Sequence, residues 1–438
     1  MTAAIVVLTL LLLYSLASRH LGLWNISAPM VFVAAGVLLG EEALGLVKLD
    51  FSEDLTLLVA EVALVILLFI DAQRIDVGRV GSLPGRLLGI GMPLTIIAGA
   101  AAALLLLTGL EFWEAALIAV ILAPTDASLG SAVVSNPRVP VRIRQALNVE
   151  SGLNDGIAVP ILFLFLALAG AEGAGSASFW TEFALKQIGF GIVAGVAIGV
   201  AGGWLTREAV RRDWAAAKFR QLAVPALALL AWAAAGEIGG SGFIAAFAAG
   251  IAVGQIYAEP VERDLDFAID IGEALSLAVF FIFGSALVLD AFGDLTWQIA
   301  LYAALSLTLV RMLPVAISMI GEDLDRASVA FLGWFGPRGL ASIILVLVVL
   351  EEEADLAGFD LLVTVMAVTV TLSVFAHGIT AGPLSRRYGK HAGGLDENEA
   401  ALKETHEDPV RASGRRPAAA APDEKDPSPP ERDYPDAI

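Results

Sequence analysis

Long apolar runs separated by short polar stretches recur along the chain almost from its first residue. Runs long enough to cross ~30 Å of hydrocarbon at helical rise predict helices at about 3–19, 27–40, 55–72, 87–109, 112–134, 146–171, 180–206, 217–236, 241–257, 267–289, 297–320, 328–350 and 358–383. The pattern is that of an all-α polytopic membrane protein with about thirteen transmembrane helices, of which the second and ninth are short. The first run has neither a basic flank nor a small-residue cleavage site, so it is expected to be a retained helix and not a removed signal.

Charge orients these spans, because cytoplasmic loops retain Lys and Arg. Arg19; Arg74, Arg79 and Arg86; Arg138, Arg142 and Arg144; Arg207, Arg211, Arg212, Lys218 and Arg220; Arg263; Arg326; and Arg386, Arg387 and Lys390 all fall at alternate loops. An external N-terminus and a cytoplasmic C-terminus in the plasma (inner) membrane satisfy nearly the whole set. The opposite loops are acidic, with Glu41, Glu42, Glu53 and Asp54, then Asp290 and Asp294, then Glu351, Glu352, Glu353 and Asp355. From about residue 385 hydrophobicity collapses into Pro, Ala and mixed charge, so residues 1–384 are expected to form the membrane domain and 385–438 a disordered cytoplasmic tail.

Composition narrows the chemistry. A hydrophobic share of 57% against 17% charged residues excludes an ordinary soluble enzyme. The chain has no cysteine and only four scattered histidines, which removes thiolate catalysis and any His/Cys ligand cluster, so no cofactor is expected. A net charge of −19 argues against nucleic acid as a partner.

Three polar interruptions stand out within the apolar runs. Glu150, Ser151, Asn154 and Asp155 share one broad arc of the sixth helix, with Glu150 over Asn154 and Ser151 over Asp155 at i,i+4 spacing. A charge at membrane depth costs at least ~2.5–3.5 kcal/mol, so this strip should face a cavity, a partner or a permeating ion. Pro124-Thr125-Asp126 interrupts the fifth span, where proline removes a helical hydrogen bond and frees a carbonyl near Val120. Gly336-Pro337-Arg338-Gly339 interrupts the twelfth. The two breaks lie seven segments apart, as expected if helices one to six and eight to thirteen are inverted repeats joined by the seventh; paired interruptions of this kind mark the midplane site of a transporter. Arg311 is too deep for a loop and needs a carboxylate, for which Glu150 is the candidate. Asp71 closes the third span, either at the interface or at a cavity mouth, while Glu61, Glu114 and Glu273 have no assigned role.

Glu150-Ser-Gly-Leu-Asn154-Asp155-Gly, Pro124-Thr125-Asp126 and Gly336-Pro337-Arg338-Gly339 together resemble the monovalent cation:proton antiporters, specifically the sodium/proton exchangers of the NhaP type. The resemblance spans residues 1–384 and departs at Ala127, where many members carry proline. It implies two broken helices crossing at the midplane, with Asp126 and Arg338 balancing the crossing. Asp155 would be the carboxylate shared by cation and proton, with Ser151, Asp71 and the main chain of Thr125 as further ligands of the monovalent cation. Asn154, Glu150 and Arg311 would form a supporting network. The resemblance also implies a homodimer, with a mobile core moving against a fixed interface, and a role in pH homeostasis. The expected activity is exchange of Na+, or Li+, for H+ by alternating access; neutral Asn154 beside Asp155 suggests one cation per proton. Potassium/proton exchange is the alternative, and a cation channel the rival of another class.

Overall fold

Each of the thirteen apolar runs contains helix in the computed structural model, which describes residues 2–49, 54–74, 81–172, 177–257, 262–352, 356–395 and 400–402. The helices are α1 (Thr2–Leu23), α2 (Ala28–Leu39), α3 (Asp54–Gln73), α4 (Ser82–Arg86), α5 (Met92–Leu106), α6 (Phe112–Ile121), α7 (Ala127–Val134), α8 (Val141–Glu172) and α9 (Ala177–Arg211). They continue with α10 (Ala217–Glu237), α11 (Gly242–Ile256), α12 (Glu262–Ala286), α13 (Val288–Gly293), α14 (Trp297–Leu307), α15 (Leu309–Ser318), α16 (Arg326–Trp334), α17 (Leu340–Glu351) and α18 (Phe359–Ala392). Among the described residues there is no strand, and nine helical stretches are long and apolar enough to cross a membrane. Four shorter apolar helices are α2, α6, α11 and α17, of which α6 and α17 are halves of the two interrupted spans. Glu53, Arg79, Glu353, Asp355 and the tail beyond residue 402 lie outside the described residues. Helix α18 itself continues past residue 385 to Ala392.

Two further spans are interrupted where continuous helix was expected. The fourth contains a π-helical turn, Leu87–Gly91, between α4 and α5. The eleventh breaks at Thr308, whose backbone sits at φ −117°, ψ −94°. The cause is local: the Thr308 hydroxyl donates to the Ala304 carbonyl at 2.7 Å, the acceptor that the helical ladder would give to the Thr308 amide. That amide turns to Leu305 instead. Arg86 links the two irregular spans, its guanidinium donating to the carbonyls of Ser318, the last residue of α15, and of Ile320 just beyond it. The interruptions therefore fall in corresponding segments, four with eleven and five with twelve.

Packing divides the helices into two groups. In one, α11 lies between α9 and α3 and packs on α10, while α12 packs on α2, α3 and α10. Small residues allow this closeness: a β-carbon on Gly195 would stand 2.3 Å from the Ala245 carbonyl oxygen, and one on Gly250 2.4 Å from that of Phe69. In the other group, α6 packs on α5 and α8, α15 on α16, and α18 on α7 and α14. Helix α8, which carries the polar strip, touches both groups through α6, α3 and α9. Helix α1 buries none of its residues and turns Leu8, Leu12 and Leu16 outward, the pattern of a lipid-facing helix.

Candidate functional site

Pro124 has no N–H to offer the Val120 carbonyl, and α6 ends at Ile121. The chain resumes as α7 at Ala127, just as α16 ends at Trp334 and α17 begins at Leu340 around Pro337. The two broken spans run antiparallel. At one end Glu114, in the first turn of α6, accepts the Gly358 amide of the α17–α18 turn at 2.8 Å and the Glu111 amide at 2.9 Å. At the other end Val133 and Val134 of α7 share an apolar cluster with Phe331 and Leu332 of α16. They meet in the middle, where the Asp126 amide donates to the Pro337 carbonyl at 2.8 Å.

Four helix ends converge there, and each carries a partner of suitable sign. The Asp126 carboxylate accepts the Ser128 amide at 2.8 Å and its hydroxyl at 2.6 Å through Oδ1, and the Leu340 amide at 2.9 Å through Oδ2. One carboxylate thus caps the N-termini of both α7 and α17, where helix dipoles favour negative charge. Arg338, with no solvent exposure, donates to the carbonyls of Ala123 at 2.5 Å and Pro124 at 3.2 Å, beyond the C-terminal end of α6. The Trp334 carbonyl at the end of α16 meets His377 Nε2 at 2.9 Å. With that nitrogen donating, His377 Nδ1 accepts from the Ser373 hydroxyl at 3.2 Å, and Ser373 Oγ accepts the Arg338 amide at 2.7 Å. The sequence pattern does not assign His377 and Ser373 to this arrangement; the one hint is a histidine inside an apolar run. Nor does it assign Glu114, which proves to be both a helix cap and a tie between distant segments.

The glycines serve proximity. A β-carbon on Gly339 would lie 2.2 Å from Asp126 Oδ2, and one on Gly336 would lie 2.4 Å from Arg311 Nε.

The polar strip of α8 faces this crossing. The Ser151 hydroxyl donates to the Thr125 carbonyl, and Asn154 Nδ2 donates to Thr125 Oγ1 at 2.8 Å, so two residues of α8 clasp the first residue after Pro124. Ser151, Asn154 and Thr125 are all buried. Glu150 and Arg311 form a bidentate ion pair at 2.6 and 2.8 Å, with both side chains 2% exposed. Asp71 is buried on α3 and lies against Gly152 of α8, where a β-carbon would stand 3.3 Å from its own. Asp155 is half-buried on the same helix, and the next residue, Gly156, lies under the ring of Phe247 from α11. Ten of the twelve singled-out residues therefore meet at the crossing, on α8, α15 and the two breaks, while Asp71 lies against Gly152 of α8 and Asp155 follows Asn154 along it. Oxygen donors predominate among them, the chemistry suited to a hard cation.

Comparison with known proteins follows the same line. A family model described as "Sodium/hydrogen exchanger, transmembrane" matches residues 6–387. The K(+)/H(+) antiporter NhaP2 of Shewanella sp. (strain MR-4) is 28% identical over 381 residues, covering 85% of this chain and 64% of that protein. The K(+)/H(+) antiporter NhaP of Alkalimonas amylolytica is 28% identical over 372 residues, covering 83% and 63%. The chain thus spans somewhat under two thirds of the length of these relatives. Among solved structures, the sodium proton antiporter MjNhaP1 from Methanocaldococcus jannaschii at pH 8 superposes with a TM-score of 0.71 at 20% identity, over 88% of this chain and 98% of that one; it shares the fold.

Proposed function

This chain belongs to the sodium/hydrogen exchanger family, a family of membrane transporters and not of enzymes, and from that premise we propose that it exchanges a monovalent cation for a proton at Asp155. The observation that carries the reading is the polar strip of α8 clasping the break at Thr125, beside a crossing whose four helix ends are already capped by the protein's own groups. A carboxylate shielded from water prefers its proton, and a cation arriving at the same oxygens displaces it. Exclusion of each by the other, with the site open alternately to either side, is sufficient for antiport.

In this reading the Asp155 carboxylate, Ser151 Oγ, the Thr125 main chain and Asp71 surround the cation, while Asn154 orients Thr125. Glu150 with Arg311, and Asp126 with Arg338, hold the helices and carry no cargo. One titrating carboxylate gives one proton per cation. Sodium is the expected cargo, with lithium admitted; potassium, which the names of the two relatives carry, is the alternative. The protein would sit in the plasma membrane with its N-terminus outside and its C-terminus cytoplasmic, as a homodimer and without a cofactor. The test is proton flux in proteoliposomes given sodium, lithium and potassium in turn, for the parent and Asp155→Asn. Flux with at least one cation, lost in the variant while its melting in detergent is kept, is the expected result. Parent-like exchange by Asp155→Asn would remove the assignment.

A further inference from the structure

On the face of the α8–α9 and α17–α18 turns, the end of α17 reaches across to the other helix group. It belongs to the group of the crossing, being tied to α6 where Glu114 accepts the Gly358 amide at 2.8 Å. Yet α17 also packs on α3 and α12, and two polar contacts cross the boundary at its last turn. Gln187 Nε2 of α9 donates to Glu352 Oε1 at 3.1 Å. The carboxyl groups of Glu61, on α3, and Glu351, the last residue of α17, are hydrogen-bonded to each other. Gln187 is fixed within its own group, its carbonyl accepting the amide of Ser241, the N-cap of α11, at 2.9 Å.

An ionised carboxylate has no hydrogen to give, so the bond between Glu61 and Glu351 contains a proton. Its loss leaves two like charges in contact, which repel. The location sharpens this response. Glu351 and Glu352 stand at the C-terminal end of α17, where the helix dipole opposes negative charge. Burial, and then the charge of Glu351, push the Glu352 carboxyl up to about 7. Above that pH a further negative charge therefore stands beside the pair. Two other described charges lie on the elements packed here, and both are committed: Glu114 to the Gly358 and Glu111 amides, and Lys186 of α9 to Glu182. Glu351 is exposed, so the shared proton exchanges with the water of this face.

Resting on the antiport reading, we propose that the end of α17 is a proton-operated latch: Glu61 and Glu351 sharing one proton, with Gln187 on Glu352, hold the two helix groups together on this face. A site open alternately to either side requires the groups to part here at one stage of the cycle. When the proton leaves to the water of this face, repulsion opposes the single remaining tie from Gln187 and the groups separate. The shared proton is not cargo. It reports the pH of one face and sets how readily that face opens, while the exchanged proton stays with α8.

The chain has no cysteine, so labels can be placed at will. Spin labels on Leu185→Cys of α9 and Ala357→Cys of the α17–α18 turn, both exposed, measure the distance across the boundary in the full chain reconstituted in lipid. The distance should lengthen as pH rises through about 7. Glu61→Gln, whose amide donates to the Glu351 carboxylate at any pH, should hold it short throughout, and Glu351→Gln does the same if Glu61→Gln does not fold. A parental distance that ignores pH, or one that lengthens equally in both amide variants, overturns the shared proton. The second arm joins Gln187→Cys to Glu352→Cys with a short, reducible bis-thiosulfonate. Exchange in proteoliposomes should fall by at least about tenfold when the bridge is closed and return on reduction; exchange at the unbridged rate with the bridge closed means that this face never parts there and overturns the latch. If the parent exchanges no cation for protons, it is the antiport reading that fails, and the pH-dependent distance still decides the latch.

Discussion

Removing Arg311 should destabilise the protein more than removing any exposed charge, and removing its partner as well should undo much of the damage. Its guanidinium meets Glu150 through two short contacts, 2.6 and 2.8 Å, with both side chains 2% exposed, and it lies flat against Gly336. Such a pair differs from the surface pairs of this protein: Lys186 and Glu182 stay exposed, where water and salt screen their attraction and little stability is gained. Truncating one member of a buried pair strands the other charge, at a cost of ~3–5 kcal/mol. Arg311→Ala and Glu150→Ala should each lose about that amount. Arg311→Met with Glu150→Leu, which leaves no charge behind and fills the space, should lose less than either single truncation. Thermal melting in detergent gives the ranking, and in the cycle closed by Arg311→Met and Glu150→Leu as single variants the coupling should be at least ~1.5 kcal/mol, the lower range for close charge pairs. Strict additivity, or an Arg311→Ala variant that melts like its parent, would mean that the pair does not hold α15 to α8.

Gly339→Ala places a methyl group 2.2 Å from Asp126 Oδ2, so the carboxylate must leave the Leu340 amide; overpacking alone costs ~1–3 kcal/mol, and turnover should fall with the melting temperature, whereas Gly293→Ala at the end of α13, where a β-carbon meets nothing within 4 Å, should leave both alone. Exchange with one proton per cation must be indifferent to voltage, while each extra charge moved is worth about 2.3 kcal/mol per 100 mV; a pH gradient at equilibrium that shifts with a valinomycin-imposed potential would add a second titrating group, with Asp71 the first to test. Burial raises the pKa of Asp325, but hydrogen bonds from Ser328, His391 and the Ala327 amide outweigh it and hold the carboxyl below its ordinary range. Its contribution is therefore present above the unfolded-state value and lost as pH falls through the lower folded one, so acid melting of Asp325→Asn should be flatter than the parent's in that window, and parallel curves would contradict it.

The apolar runs are legible because lipid imposes a length on every span, and all thirteen predicted segments contain helix. The breaks at Pro124 and Pro337 are legible for a related reason: proline is the one residue whose covalent structure forbids the ladder. Thr308 carries no such mark. Threonine is tolerated in membrane helices, and whether its hydroxyl diverts the i−4 carbonyl depends on what packs around it, here α15 against α5 and the π-helical turn. The same distinction separates the legible site residues from the rest. Asp126, Thr125, Ser151 and Asn154 stand in the sequence as oxygen donors within apolar helix, and that is conspicuous because it is expensive. The cap that His377 gives Trp334, and the tie from Glu114 to Gly358, join residues 43 and 244 positions apart, and no local pattern encodes them. A membrane nevertheless requires that such partners exist, since a helix end at midplane depth has no water to satisfy it. Two breaks crossing make four such ends, and the charges that flank the breaks serve only three of them, Asp126 two and Arg338 one. The remaining end belongs to α16. Its carbonyls need a neutral or cationic donor that an apolar run can tolerate, and an imidazole inside the last span meets that need at lower cost than a permanent charge. The fourth cap is therefore His377, the residue to which a count of unsatisfied helix ends points.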